Sequence, residues 1–206
     1  MSTTLLKSIA LGVVTSYIET KYIADTPLGS SLYETTTASL PRGVGLTSLV
    51  LIFTYFWMIY YGFAVVGKAR GKYRELAKKD GEKNADRAYG FPHLYVMASD
   101  SKHALAFNCV QRSHQQIMET LPGYLVVSLI SAVHFPLTAS LLCSLWLYSR
   151  MVWAAGYAND KGDASQRYSH PFSRFFWQAT LALIVLSTLS SVNLVAGKKI
   201  FWDEMF

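Results

Sequence analysis

Residues 44–67 read VGLTSLVLIFTYFWMIYYGFAVVG, 24 positions without a Lys, Arg, Asp or Glu. At ~1.5 Å rise per residue, a helix of that length crosses the ~30 Å hydrocarbon layer of a bilayer. The run Phe175 to Ala196 has the same character over 22 residues. Leu137 to Ala158 is a third candidate span, interrupted by Arg150 alone. Leu121 to Phe135 is apolar but short, so a fourth helix must begin upstream near Leu105 to cross. These blocks explain why charged types make up only 16% of the chain and hydrophobic types 51%, with mean hydropathy +0.23. A soluble domain carries about 25% charged residues. The reading is all-α: an integral membrane four-helix bundle with an N-terminal helical extension. Pro136 closes the second and third spans into a tight antiparallel hairpin.

Charge sets the expected topology. Between Lys68 and Lys102 lie nine Lys/Arg residues, and Lys161, Arg167 and Arg174 follow in the next loop. Those twelve compare with five in the segment before the first span and the C-terminal tail together. The positive-inside rule places both loops in the cytosol or matrix and both termini opposite, on one side. The same rule accounts for the basic loop, which has no nucleic-acid recognition motif, so no nucleic-acid partner is expected.

Three parts follow along the chain. Residues 1–42 form an extension in which Leu5, Leu6, Ile9, Val13 and Tyr17 make an apolar stripe at helical spacing. The stretch Leu5 to Ile18 is too short to span comfortably, which leaves an interfacial helix or a segment packed on a partner. The run Thr26 to Ser39 reads as loop. Residues 43–197 form the membrane domain, with a charged connector from Gly71 to Ala104 that reads as solvated helix end and loop. Residues 198–206 are a tail. Cys109 and Cys143 fall on different spans and read as small apolar packing residues rather than a disulfide framework.

The second span has a wet half. Asn108, Gln111, Arg112, His114, Gln115, Gln116 and Glu119 all lie between Leu105 and Thr120. Polar groups on a spanning helix must face protein or water. Arg112, Gln116 and Glu119 sit at i, i+4 and i+7, on one face. Arg150, Trp153 and Tyr157 share a face of the third span. Turned toward each other, the two faces would line a pocket with two guanidinium groups, a carboxylate, an amide and a phenol. Arginine forks match carboxylates, and Glu119 would accept from an ammonium. Glutathione has two carboxylates, one amine and a thiol. The alternative is that Arg112 and Glu119 simply pair with each other or with a neighbouring helix. A haem carrier needs histidines facing one another from separate spans. His114 and His134 share one helix, and His93, His103 and His170 lie outside the spans, so neither haem nor metal is expected.

These residues resemble a known family. The stretch Phe107-Asn108-Cys109-Val110-Gln111-Arg112-Ser113-His114-Gln115-Gln116-Ile117-Met118-Glu119 with Pro122, then Arg150 to Tyr157, and Lys68-Ala69-Arg70 are similar to the membrane-associated eicosanoid and glutathione metabolism (MAPEG) family. The motifs lie nearest its type-3 microsomal glutathione transferases. The resemblance covers roughly residues 43–197. It implies a four-helix subunit, a homotrimer, and glutathione as co-substrate between subunits in an endoplasmic reticulum or mitochondrial membrane. Arg70, Arg112, Gln116, Glu119 and Tyr157 then stand where the family binds glutathione, joined by Arg150 from the helical spacing. Arg167 stands where an arginine steadies the thiolate. That thiolate would attack a lipophilic electrophile or reduce a lipid hydroperoxide arriving through the bilayer. Gln116 replaces the family's usual Asn and Trp153 its usual Tyr, and the connector is longer. Those departures keep open a second reading, a catalytically idle structural subunit of a larger membrane complex, a mitochondrial respiratory complex included.

Overall fold

The computed structural model describes residues 3–34 and 40–197. The side chain of Leu5, part of the loop Thr26 to Ser39, and the C-terminal tail lie outside the described residues. Every regular element among the described residues is helical. In order they are α1 (Thr3–Ile18), α2 (Pro27–Tyr33), α3 (Val44–Tyr61), α4 (Lys68–Lys79), α5 (Ala85–Tyr89), α6 (Ala104–His134), α7 (Pro136–Tyr157) and α8 (Phe175–Ala196). A π-helical turn, Glu19–Ile23, prolongs α1, and another, Gly62–Gly67, joins α3 to α4. Val44 to Lys79 is therefore one helix of 36 residues. It outruns the bilayer by its charged α4 end.

Among the described residues, three helices are long and apolar enough to cross a membrane: Val44–Lys79, Ala104–His134 and Pro171–Ala196. The protein is an integral membrane protein. Burial on these helices is inverted relative to a water-soluble domain. On α3 the buried face reads Thr47, Leu51, Thr54, Met58 and Tyr61, while Leu49, Ile52, Phe53 and Phe56 are exposed. On α8, Ala179, Ala182, Ser187, Ser190 and Asn193 are buried together with Phe176, Leu183 and Leu186, and Ile184, Leu194 and Val195 are exposed. Lipid is as apolar as a protein core, so close packing selects small and polar residues for the inside and leaves large apolar ones to the acyl chains. The remaining predicted span, α7, falls outside the three. It is the helix with the most fully buried surroundings: Ala139, Cys143, Trp146, Ser149, Arg150, Trp153 and Ala154 are all buried. Leu141 and Tyr148 are its exposed large side chains.

The chain divides into two compact units. One holds the described residues up to Thr54, Leu121–Tyr148, and those from Phe175 onward. Here α1 packs along α8. Its buried positions are Ser8, Gly12, Ser16 and Glu19, whereas Leu6 and Val13 of the apolar stripe are exposed. A Cβ on Gly12 would lie 3.1 Å from the Ala182 carbonyl oxygen. The stripe of small residues, not the apolar one, is the docking face. Glu19 ends in a buried cap: its carboxylate accepts the Leu137 and Thr138 amides, both at 2.8 Å, and the Tyr33 hydroxyl at 3.0 Å. These are first-turn amides of α7, which have no acceptor within their own helix. Burial and the neighbouring Glu19 charge push the Tyr33 hydroxyl far above the usual tyrosine range, so it remains a donor. The expected Pro136 hairpin is present, with Phe135 alone between α6 and α7. The predicted loop Thr26 to Ser39 instead contains α2. Thr26 caps it by accepting the Gly29 amide at 3.0 Å, and Pro27 opens it, the standard start signal for a helix.

The other unit holds Tyr55–Thr120 and Ser149–Arg174. Tyr61 joins three of its helices: its hydroxyl lies 2.8 Å from Ser113 Oγ and donates to the Ala154 carbonyl at 3.2 Å. The His114 ring stacks on Tyr61 and its Nε2 meets the Met58 carbonyl at 3.2 Å. The connector folds back on α6 rather than trailing in solvent. Asn108 clasps the Val96 backbone, accepting its amide at 3.0 Å and donating to its carbonyl at 2.8 Å. Lys102 and His103 reach Asp80 at 3.0 and 2.6 Å and hold its carboxyl below the usual range.

Candidate functional site

All seven site residues read from the sequence fall in this second unit, on α4, α6, α7 and the turn after α7. Six of them form three groups, and Arg70 stands apart. The first is the pair Arg112–Glu119, 2.5 Å apart along the exposed flank of α6. Both side chains are about half exposed, 47% and 54%. The ion pair considered as the alternative reading therefore exists, and it lies where a ligand could reach either partner.

The second group is buried. Arg150 is fully enclosed and donates to the Gln116 side-chain oxygen at 3.3 Å and to Thr120 Oγ1 at 2.9 Å. Its guanidinium lies 5.3 Å from the centre of the Trp153 ring. The faces of α6 and α7 thus meet through Gln116 and Arg150. Thr120, which sequence reasoning passed over, holds the other prong. The extra methylene of Gln116 lets its amide reach the guanidinium.

The third group continues along α7. Trp153 packs edge-on against Tyr157, with ring centres 5.0 Å apart. The Arg167 guanidinium covers Tyr157 at 5.4 Å and Tyr168 at 4.7 Å and donates to the Ala164 carbonyl. Arg112 and Arg167 both lie within electrostatic reach of the Tyr157 hydroxyl. Arg112, Tyr157 and Arg167 consequently form one cationic patch around a phenol, with Glu119 at its edge.

Arg70 stands apart from the patch. It is buried, donates to the Tyr89 carbonyl at 3.2 Å and to the Gln111 side chain at 3.1 Å, and is sandwiched between the rings of Phe91 and Phe107. Its donors tie the connector to α6. Gln111 and Asn108 are the positioning groups missed in the sequence. Their signal was present: an amide inside a membrane helix needs a partner.

Position of Arg167 depends on Gly156. The turn Ala164–Tyr168 runs so close to α7 that a Cβ at Gly156 would overlap the Gln166 carbonyl oxygen and lie 3.2 Å from Arg167 Cα. Gly156→Ala must push that turn outward. Overpacking of this kind costs ~1–3 kcal/mol, which is about a tenfold rise in the open population of the turn. Limited trypsin digestion should cut after Arg167 about ten times faster in Gly156→Ala than in the wild type. Gly123→Ala, whose Cβ meets nothing within 4 Å, should match the wild type. Equal cleavage rates in all three proteins would refute the argument.

With this geometry established, comparison with known proteins is informative. The MAPEG family pattern matches residues 44–190. This chain belongs to the MAPEG family. The matched stretch contains every residue of the cationic patch, and α1 and α2 precede it. No solved structure matches this MAPEG chain.

Proposed function

We propose that this MAPEG protein binds glutathione at the patch formed by Arg112, Glu119, Tyr157 and Arg167, as a membrane glutathione transferase or peroxidase. The observation that carries the reading is the exposed Arg112–Glu119 pair beside the Tyr157–Arg167 stack. A ligand with carboxylates and an ammonium can exchange that pair for two complementary contacts, Arg112 to carboxylate and Glu119 to ammonium. Arg150 and Gln116 fix the spacing of α6 and α7 behind it. Arg70 would hold the connector in place rather than touch the ligand.

Arg167 supplies the nearest positive charge for a sulfur placed over Tyr157. A thiol titrates near ~8.5, and a neighbouring guanidinium lowers that value and raises the thiolate fraction at neutral pH. The thiolate displaces a leaving group from a lipophilic electrophile, forming a C–S bond. With a lipid hydroperoxide it takes the terminal oxygen, releasing the alcohol, and a second glutathione converts the sulfenic acid to disulfide and water. In this reading residues 43–197 are the catalytic membrane domain with crossings at α3, α6, α7 and α8. The basic loops face the cytosol or matrix, and a homotrimer encloses the exposed flank of α6. The membrane is that of the endoplasmic reticulum or mitochondrion.

One observation favours the second reading, a structural subunit of a larger membrane complex: Arg70 is committed within the chain, one nitrogen to the Tyr89 carbonyl of the connector and the other to the Gln111 side chain of α6. Titration calorimetry of the detergent-solubilised wild type with reduced glutathione separates the two. Saturable heat at millimolar concentrations is the expected result. No heat, together with comigration with other chains on native electrophoresis of membranes, would establish the structural reading instead.

A further inference from the structure

We infer that α1 and its π-helical turn cross the bilayer as a fifth helix, parallel to α8, and place the N-terminal end on the side of the basic loops. This departs from the charge-based expectation of both termini opposite those loops, and it does not rest on glutathione binding.

Length comes first. Thr3–Ile18 alone is 16 residues, but the helix continues through Glu19–Ile23. The 16 α-helical residues give ~24 Å, and the tighter rise of the π turn brings the rod to ~30 Å. That equals the hydrocarbon thickness.

Depth comes from contacts at two levels. Glu19 caps the first turn of α7, beside the Pro136 hairpin. The same end of α6 is level with the last part of α8: His134 Nδ1 lies 2.8 Å from Ser190 Oγ, and Ser190 donates to the Ile130 carbonyl at 2.7 Å. Gly12 lies against Ala182, eight positions before Ser190. Moving from Glu19 to Gly12 thus climbs α8 from about residue 190 to residue 182. The nine residues from Gly12 to Thr3 climb a further ~13 Å, past the ~10 Å that remain between Ala182 and Phe175. Thr3 is therefore level with the start of α8, where the loop carrying Arg167 and Arg174 ends.

The surface agrees. The outward side chains of the rod between its two exposed lysines, Lys7 and Lys21, include Val13, Val14 and Ile18. The one acid in that interval, Glu19, is buried in its cap. Lys7 and Lys21 are far enough apart to extend to opposite headgroup layers. Tyr17 and Tyr22, in edge-to-face contact at 6.2 Å, mark the hairpin-side interface. The occupant of this outer face is lipid, continuous with the acyl-facing side of α8.

The experiment is relative sidedness in sealed membrane vesicles. The full-length protein carries an N-terminal epitope and, in separate variants, Lys83→Cys in the connector or Leu28→Cys on the exposed side of α2. The native cysteines Cys109 and Cys143 are buried and stay unlabelled. An impermeant maleimide and an antibody are applied from outside. The epitope and Lys83→Cys should be reached from the same side, and Leu28→Cys only after the vesicles are opened, or the reverse in vesicles of opposite orientation. Epitope and Leu28→Cys reached together, with Lys83→Cys protected, would overturn the proposal and return α1 to the membrane surface.

Discussion

Glu19→Ala should lower the thermal unfolding midpoint of the detergent-solubilised protein more than any other single change in the N-terminal extension. The carboxylate is 1% exposed and accepts three hydrogen bonds, from Leu137, Thr138 and Tyr33. Its removal strands two first-turn amides of α7 away from water, while the Tyr33 hydroxyl keeps the His134 carbonyl at 3.3 Å. Hydrogen bonds to charged groups are worth ~1.5–3 kcal/mol, and losing an N-cap alone costs ~1 kcal/mol. The negative charge also opposes the positive end of the α7 dipole. A total near ~3 kcal/mol corresponds to a drop of ~6–12 °C for a chain of about this size. Glu19→Gln keeps one acceptor oxygen and should fall between, because its amide hydrogens then face other donors. A midpoint unchanged in Glu19→Ala would show that α1 does not dock on α7 as described.

The membrane helices were legible in the sequence because charge exclusion is a one-dimensional signal. Lipid forbids charges over a fixed length, and Val44 to Gly67 states that directly. The side of each helix that packs was less legible. In α1 the eye follows Leu6, Ile9 and Val13, yet in lipid the packing face belongs to Ser8, Gly12 and Ser16. Glu19 was invisible as a cap, because its targets lie 118 and 119 residues away and nothing in local spacing links them. The site was readable where it lies on helices: i, i+4 and i+7 bring Arg112, Gln116 and Glu119 to one face, and Gln116 does meet Arg150. It was unreadable where the irregular connector takes part. Arg70 matches a family motif, but its partners Tyr89 and Phe91 belong to a segment without periodicity.

Arg112→Ala should weaken glutathione binding about a hundredfold while leaving the fold intact. The two halves of that expectation have different physical sources. As an exposed pair, Arg112 and Glu119 contribute at most ~0.2–1 kcal/mol to stability, so the unfolding midpoint should barely move. As a ligand contact, a guanidinium on a carboxylate is a charge-assisted bond worth ~1.5–3 kcal/mol, and ~2.7 kcal/mol is a hundredfold in affinity. A charge swap separates recognition from pairing. In Arg112→Glu with Glu119→Arg the ion pair can re-form along α6, yet the positive charge has moved two helical turns away from Tyr157 and Arg167. If the pair were only structural, the swap would behave like the wild type in every assay. If Arg112 grips a carboxylate beside the Tyr157–Arg167 stack, the swap should keep the wild-type midpoint and lose binding as fully as Arg112→Ala. Calorimetry with reduced glutathione on the three proteins reads both quantities against the same baseline. Swap and wild type binding equally would remove Arg112 from the site and leave it an ion pair on a helix surface.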